Sequence, residues 1–292
     1  MAFINRKTRE IQMKIVYAGP TGAGKSASLS WIHRRFPSCF ASRLLRVRAA
    51  GEKTVFFDFA ALALPQAAGF RLNVRLYTLP GDERFDDTLR LVLRGVDGIV
   101  FVADAAAMRK TNILAFKRIA SALAAAGRSL ERLPLVFQLN KYDLLAAGSL
   151  LLPPATLAAD LNPEQRRPFW LTSAVTGKNL LPPLLHLIHL AAATLEGQAR
   201  RRLPGLGLEG FAARVKENLR GCFPPADEKT KSRPAPRSPA PQNAAAARAS
   251  LESRAYFLIP VERFEELLAA VRQGATALAR IAQAMGKESE KR

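Results

Sequence analysis

The octapeptide Gly19-Pro20-Thr21-Gly22-Ala23-Gly24-Lys25-Ser26 constrains this chain more than any other stretch. It follows the apolar run Ile15-Val16-Tyr17-Ala18 and opens into Leu29-Ser30-Trp31-Ile32, which can continue as a helix. Strand, glycine-rich turn, Lys-Ser and helix are the context in which the G-x-x-x-x-G-K-[ST] spacing makes a phosphate site. The glycines let backbone N–H groups converge on an anion, and the helix N-terminus adds its partial positive charge. Gly19, Thr21, Gly22, Ala23, Gly24, Lys25, Ser26 and Ala27 are therefore the candidate phosphate-binding residues. Lys25 is placed to reach the terminal phosphates, and Ser26 to offer its hydroxyl to Mg²⁺.

The rest of the chain fits an α/β layering around that turn. Residues 14–18, 54–59, 70–76, 98–104, 134–139 and 169–171 read as strands, either as short apolar runs or with period-two alternation. Residues 25–35 and 112–126 read as helices, the second with Ile113, Phe116, Ile119, Ala120 and Leu123 on one face. Residues 43–52 are basic and show no clear periodicity. Strands alternating with helices predict a three-layer fold, a mostly parallel sheet with helices on both faces. Every motif falls at the carboxyl end of a strand, where such sheets bind ligands.

Beyond about residue 196 the composition shifts. Residues 1–196 read as the nucleotide domain, 197–254 as a basic linker rich in Pro, Ala and Arg, and 255–292 as an amphipathic C-terminal helix. Phe264, Leu267, Leu268, Val271, Ala275, Leu278, Ile281 and Met285 recur at three and four along that helix. Such a stripe must be buried somewhere. Self-association, docking on the main domain and a partner groove all stay open.

The formal net charge is +20, and residues 1–195 already carry 26 basic against 13 acidic side chains. This favours anionic partners, among them an anionic membrane surface. Without a nucleic-acid motif or basic–aromatic interleaving, nucleic acid is a poor fit. Two cysteines with no metal-ligand spacing, an N-terminus without an apolar signal core and an apolar run 180–195 too short for a bilayer predict a cytoplasmic protein. His186 and His189 lack a third ligand nearby in sequence, Asp97 and Asp104 read as turn residues, and Pro182-Pro183 as a helix start.

The base is read further along. Asn140-Lys141-Tyr142-Asp143 ends a buried strand downstream of the phosphate loop. The Asp143 carboxylate can accept from the ring N–H and exocyclic amine of guanine together, an edge that adenine lacks. Lys141 can lie along the base, Asn140 can tie this loop to the phosphate loop, and Ser173-Ala174 would present a backbone N–H to the guanine carbonyl. A carboxylate left without its donors is costly, so the pairing discriminates well. The expected ligands are GTP or GDP with Mg²⁺.

With these motifs the chain resembles the small Ras-like GTPases of the bacterial MglA type over about residues 1–195. The resemblance rests on Phe3-Ile4-Asn5, Arg9-Glu10, Lys14-Ile15-Val16-Tyr17 running into Gly19-Pro20, Thr54-Val55-Phe56-Phe57-Asp58-Phe59, Tyr77-Thr78-Leu79-Pro80-Gly81 and the stretch from Gly95 through Asp104. It implies a Ras-like G domain in which Thr54 is the switch I threonine on Mg²⁺ and the γ-phosphate. Gly81 would then donate its N–H to that phosphate at the start of switch II. It further implies a role in cell polarity and motility, a destination at a cell pole or the inner membrane surface, and a roadblock (LC7-type) activating partner, MglB. Two positions depart from the family. Lys53 stands where the family has arginine, keeping charge but not the planar fork. Asp82 stands where it has the glutamine that orients water. With Lys53, Thr54 and Asp82 as the catalytic candidates, slow intrinsic hydrolysis is expected, and a non-hydrolysing GTP-binding scaffold is the alternative.

Overall fold

The computed structural model describes residues 2–41, 43–50, 55–79, 81, 86–164, 166–203, 205–224 and 257–260. Strand β1 (Phe3–Asn5) pairs antiparallel with β2 (Glu10–Ala18), and β2 runs directly into the glycine-rich turn and helix α1 (Lys25–Arg35). Strands β3 (Leu45–Ala50), β4 (Val55–Ala67) and β5 (Phe70–Thr78) form an antiparallel meander. After α2 (Asp86–Leu93) come β6 (Gly98–Asp104), α3 (Arg109–Ala125), β7 (Leu135–Asn140), α4 (Pro154–Leu161) and β8 (Phe169–Leu171). Helices α5 (Leu181–Arg202) and α6 (Phe211–Cys222) and the short strand β9 (Phe257–Pro260) complete the order. The sheet runs β8-β7-β6-β2-β5-β4-β3-β9, and β8, β7, β6, β2 and β5 are mutually parallel.

Alternation along each central strand divides the core into two apolar layers. From β2, Ile11, Met13, Ile15 and Tyr17 face one layer while Val16 and Ala18 face the other. The first layer is covered by α1, α5 and α6 through residues such as Leu29, Leu187, Ile188, Phe211 and Val215. The second is covered by α2, α3 and α4 through Leu89, Val92, Leu123, Leu157 and Leu161. The fold is therefore the expected three-layer α/β arrangement, a mixed sheet whose parallel central strands are apolar on both faces.

Several elements differ from the sequence-based expectation. Residues 45–50, within the basic segment 43–52 for which no element is expected, form β3 and pair with β4. Strand β4 continues well past residue 59 to Ala67, because the two-residue turn Ala68-Gly69, both at positive φ, folds it back onto β5. The boundary expected at residue 196 falls inside α5, and the packed core extends through Phe223. The Glu196 carboxylate accepts from the N–H groups of Gly210 and Ala212, both at 2.9 Å, which anchors the start of α6. Asn218 Nδ2 then donates to the carbonyl of Pro65 in β4 at 2.9 Å, and the Phe36 and Phe223 rings meet edge to face at 5.1 Å. Within the helix expected over 255–292, Phe257–Pro260 instead form β9, drawn into the sheet by parallel pairing with β3, while residues 225–256 and 261–292 lie outside the described residues.

Candidate nucleotide site

The site assembles at the carboxyl ends of β2, β5, β6 and β7. No side chain caps α1, and its first turn holds no acidic residue, which leaves that turn's N–H groups facing the loop. Gly24 caps the helix at φ 100°, a conformation that favours glycine, and a Cβ there would overlap Asn140 Nδ2. Thr21, Gly22 and Ala27 are exposed around this cradle, Ala23 is buried beneath it, and Ser26 is half-buried at its edge. Lys25 folds back across the loop, donating from Nζ to the carbonyls of Gly19 at 2.9 Å and Pro20 at 2.6 Å. This donor set fits an anionic phosphate chain, and the Ser26 hydroxyl fits Mg²⁺, a hard ion that also takes phosphate oxygens and water.

Lys25 is 7% exposed. Burial lowers its pKa from the usual lysine value to about 8; Asp104 opposes that shift and the positive charge of Arg118 adds to it. A bound phosphate favours the protonated form. Nucleotide binding above pH 8 would therefore take up a proton, and affinity should fall about fivefold between pH 8 and pH 9 while staying nearly flat below pH 7.5. Titration of a fluorescent GDP across this range measures the slope. By the same linkage the nucleotide-free fold gains stability as pH rises from about 8 towards the ordinary lysine range, because the unfolded chain there binds the extra proton.

The second half of the site is built on Asn140, which is 2% exposed. Its Nδ2 donates to the Ala23 carbonyl at 2.7 Å, and its Oδ1 accepts from Ala174 N at 2.9 Å and Thr172 Oγ1 at 3.2 Å. One side chain thus joins the phosphate loop, the end of β7 and the loop after β8. Lys141 follows at φ 78°, an uncommon conformation for a non-glycine residue. Its Nζ forms an ion pair with Asp104 Oδ2 at 2.6 Å. That turn leads into a 3₁₀ segment, Tyr142–Ala147, which carries Asp143 half-buried near its start.

Some expectations need revision. Ser173 N donates to the Lys178 carbonyl at 3.1 Å and Ala174 N to Asn140, so neither N–H is held out towards a base. Asn140 takes the donor first because it is buried beside that loop and needs a partner for Oδ1. Asp104 is more than a turn residue: it is the anion that holds Lys141 and faces Lys25. Asn112 clamps it, accepting from Asp104 N at 2.8 Å and donating to its carbonyl at 2.9 Å. The parallel register that pairs Asp104 with Asn140 is the signal by which this contact could have been found. Pro182 does sit in the first turn of α5 as expected, and His189 meets the Ala212 carbonyl at 3.2 Å between α5 and α6. Gly81 lies against the phosphate loop, where a Cβ would overlap the backbone of Pro20 and Thr21. Lys53, Thr54 and Asp82 lie outside the described residues.

No protein-family model matches the chain. The mutual gliding-motility protein MglA of Myxococcus xanthus (strain DK1622) is 39% identical to it over 145 residues, which are 49% of this chain and 74% of that protein. The chain belongs to the MglA-type gliding-motility GTPase family. Among the described residues, no helix is long and apolar enough to cross a membrane.

Proposed function

We propose that this MglA-type chain is a guanine-nucleotide switch, binding GTP or GDP with Mg²⁺ and recruiting partners according to which is bound. The observation that supports this reading most is the triple engagement of Asn140, which makes the phosphate loop and the loop bearing Asp143 one rigid unit. Gly24, Lys25, Ser26 and Ala27 would hold the phosphates, and Ser26 with Thr54 the metal ion. Bound Mg²⁺ would supply positive charge to the terminal phosphates. Asp143 and Lys141 would hold the base. Loss of the terminal phosphate would release the segments around Thr54 and Gly81. By family membership the switch would serve cell polarity or motility from the cytoplasm, with recruitment to a pole or the inner membrane surface. A roadblock-type partner resembling MglB would accelerate hydrolysis.

Hydrolysis by the chain alone is proposed to be slow. An ionised Asp82 cannot donate to the attacking water's oxygen as an amide can, and it repels the phosphate. The second reading, a scaffold that binds GTP without turning it over, is favoured by the coincidence of Asp82 and Lys53 at both family positions. In magnesium buffer, GTP should displace a fluorescent GDP and ATP should not. Equal displacement by ATP would refute the guanine reading. Single-turnover hydrolysis with and without a roadblock-type protein separates the two: stimulation identifies a cycling GTPase, and none identifies the scaffold.

A further inference from the structure

A second cation reaches the phosphate loop from α3, and no motif marks it. Arg118 is half-buried, and its Nη1 donates to the Gly81 carbonyl at 3.0 Å. With Ala18, Gly19, Leu79 and Gly81 it lines a small cleft between α3, the end of β2 and the segment after β5. Gly81 itself sits so close to Pro20 and Thr21 that only glycine fits. Its carbonyl is held from α3 while its Cα rests against the phosphate loop. A guanidinium is well suited to hold it, because its donors are fixed in a plane. Its charge is also felt at Lys25, which places both cations around the same loop.

We propose that Arg118 is a positioning residue for the terminal phosphate, tying Gly81, which rests on the phosphate loop at the start of switch II, to α3 and adding positive charge beside the place where a third phosphate would lie. The inference rests on the guanine-nucleotide reading. It assigns this residue to the discrimination of triphosphate from diphosphate, because the α- and β-phosphates are served by the loop and α1 without it.

The test uses the full chain, with Arg118→Ala and Arg118→Lys compared by displacement of fluorescent GDP in magnesium buffer. The competitors are guanosine 5′-O-(3-thiotriphosphate) and GDP. Arg118→Ala should weaken the thiotriphosphate about tenfold and GDP less than about twofold, the size expected for one charge-assisted contact. Arg118→Lys should recover part of the loss, since it restores charge without the fork. Equal losses for both nucleotides, no loss for either, or a lysine variant no better than alanine would each overturn the assignment. If the unaltered protein shows no preference for guanine nucleotides, the underlying reading falls and this inference with it. If it shows that preference and Arg118→Ala leaves the triphosphate-to-diphosphate ratio unchanged, the inference alone falls.

Discussion

Asp143→Ala is expected to abolish base selection, weakening GTP by about a hundredfold or more while leaving ATP affinity unchanged. The cause begins at the turn before it. Lys141 adopts a positive φ that a lysine would not choose unaided, and its ammonium is held by Asp104 at 2.6 Å. That ion pair fixes the turn leading into the 3₁₀ segment, so Asp143 stands on a supported backbone. A carboxylate there would accept two hydrogen bonds from one guanine edge. Hydrogen bonds to charged groups contribute about 1.5–3 kcal/mol each, so losing two is worth about 3–6 kcal/mol, or roughly two to four decades in affinity. Adenine presents no matching pair of donors and has little to lose. Competition binding of GTP and ATP to both proteins reads the ratio directly. A variant that keeps its preference for GTP would show that the base is read elsewhere.

The parts of this molecule legible in its sequence are those whose cause is local. The glycine-rich turn, its lysine and serine, and the strand before it announce themselves because each residue type is required by the backbone shape at that position. Strand β4 is half legible: its first residues are aromatic and β-branched, but Ala60-Ala61-Leu62-Ala63-Leu64 are strong helix formers, and only pairing with β5 makes them a strand. Strand β3 alternates Leu45, Val47 and Ala49 with Arg46 and Arg48, a pattern that the surrounding basic residues obscure. The packing of α6 depends on Glu196 and on Pro65, residues 14 and 153 positions distant from those they bind. Arg118 and Asp104 are illegible as site residues for the same reason. Each acts on a residue 37 positions away, across a sheet or from a facing helix. A motif search reads neighbours in sequence, whereas these contacts exist only once strand order and register are set.

Asn140→Ala should damage both stability and binding, and by a common cause. The substitution removes one donor and one doubly used acceptor from a buried position, leaving the Ala23 carbonyl and the Ala174 N–H without their partner. Buried groups stranded in this way cost about 1–3 kcal/mol each, so a loss of about 2–6 kcal/mol is expected. For a domain of this size that lowers the melting temperature by about 4–24 °C. Asn140→Asp should be at least as harmful despite its matching shape, because a carboxylate oxygen would then face the Ala23 carbonyl. The consequence for ligand binding goes beyond stability. Ala23 lies in the phosphate loop, Asn140 ends β7 and Ala174 lies in the loop after β8, so a nucleotide gripping phosphate and base together benefits from the fixed spacing that one side chain maintains. Below the melting transition, GDP affinity in Asn140→Ala should therefore drop by tenfold or more, even though Asn140 need not touch the base. Thermal unfolding with and without GDP distinguishes the effects: the variant should melt earlier and gain less from the ligand. An unchanged melting temperature together with wild-type affinity would show that the two ends of the site are held at their distance by the sheet alone.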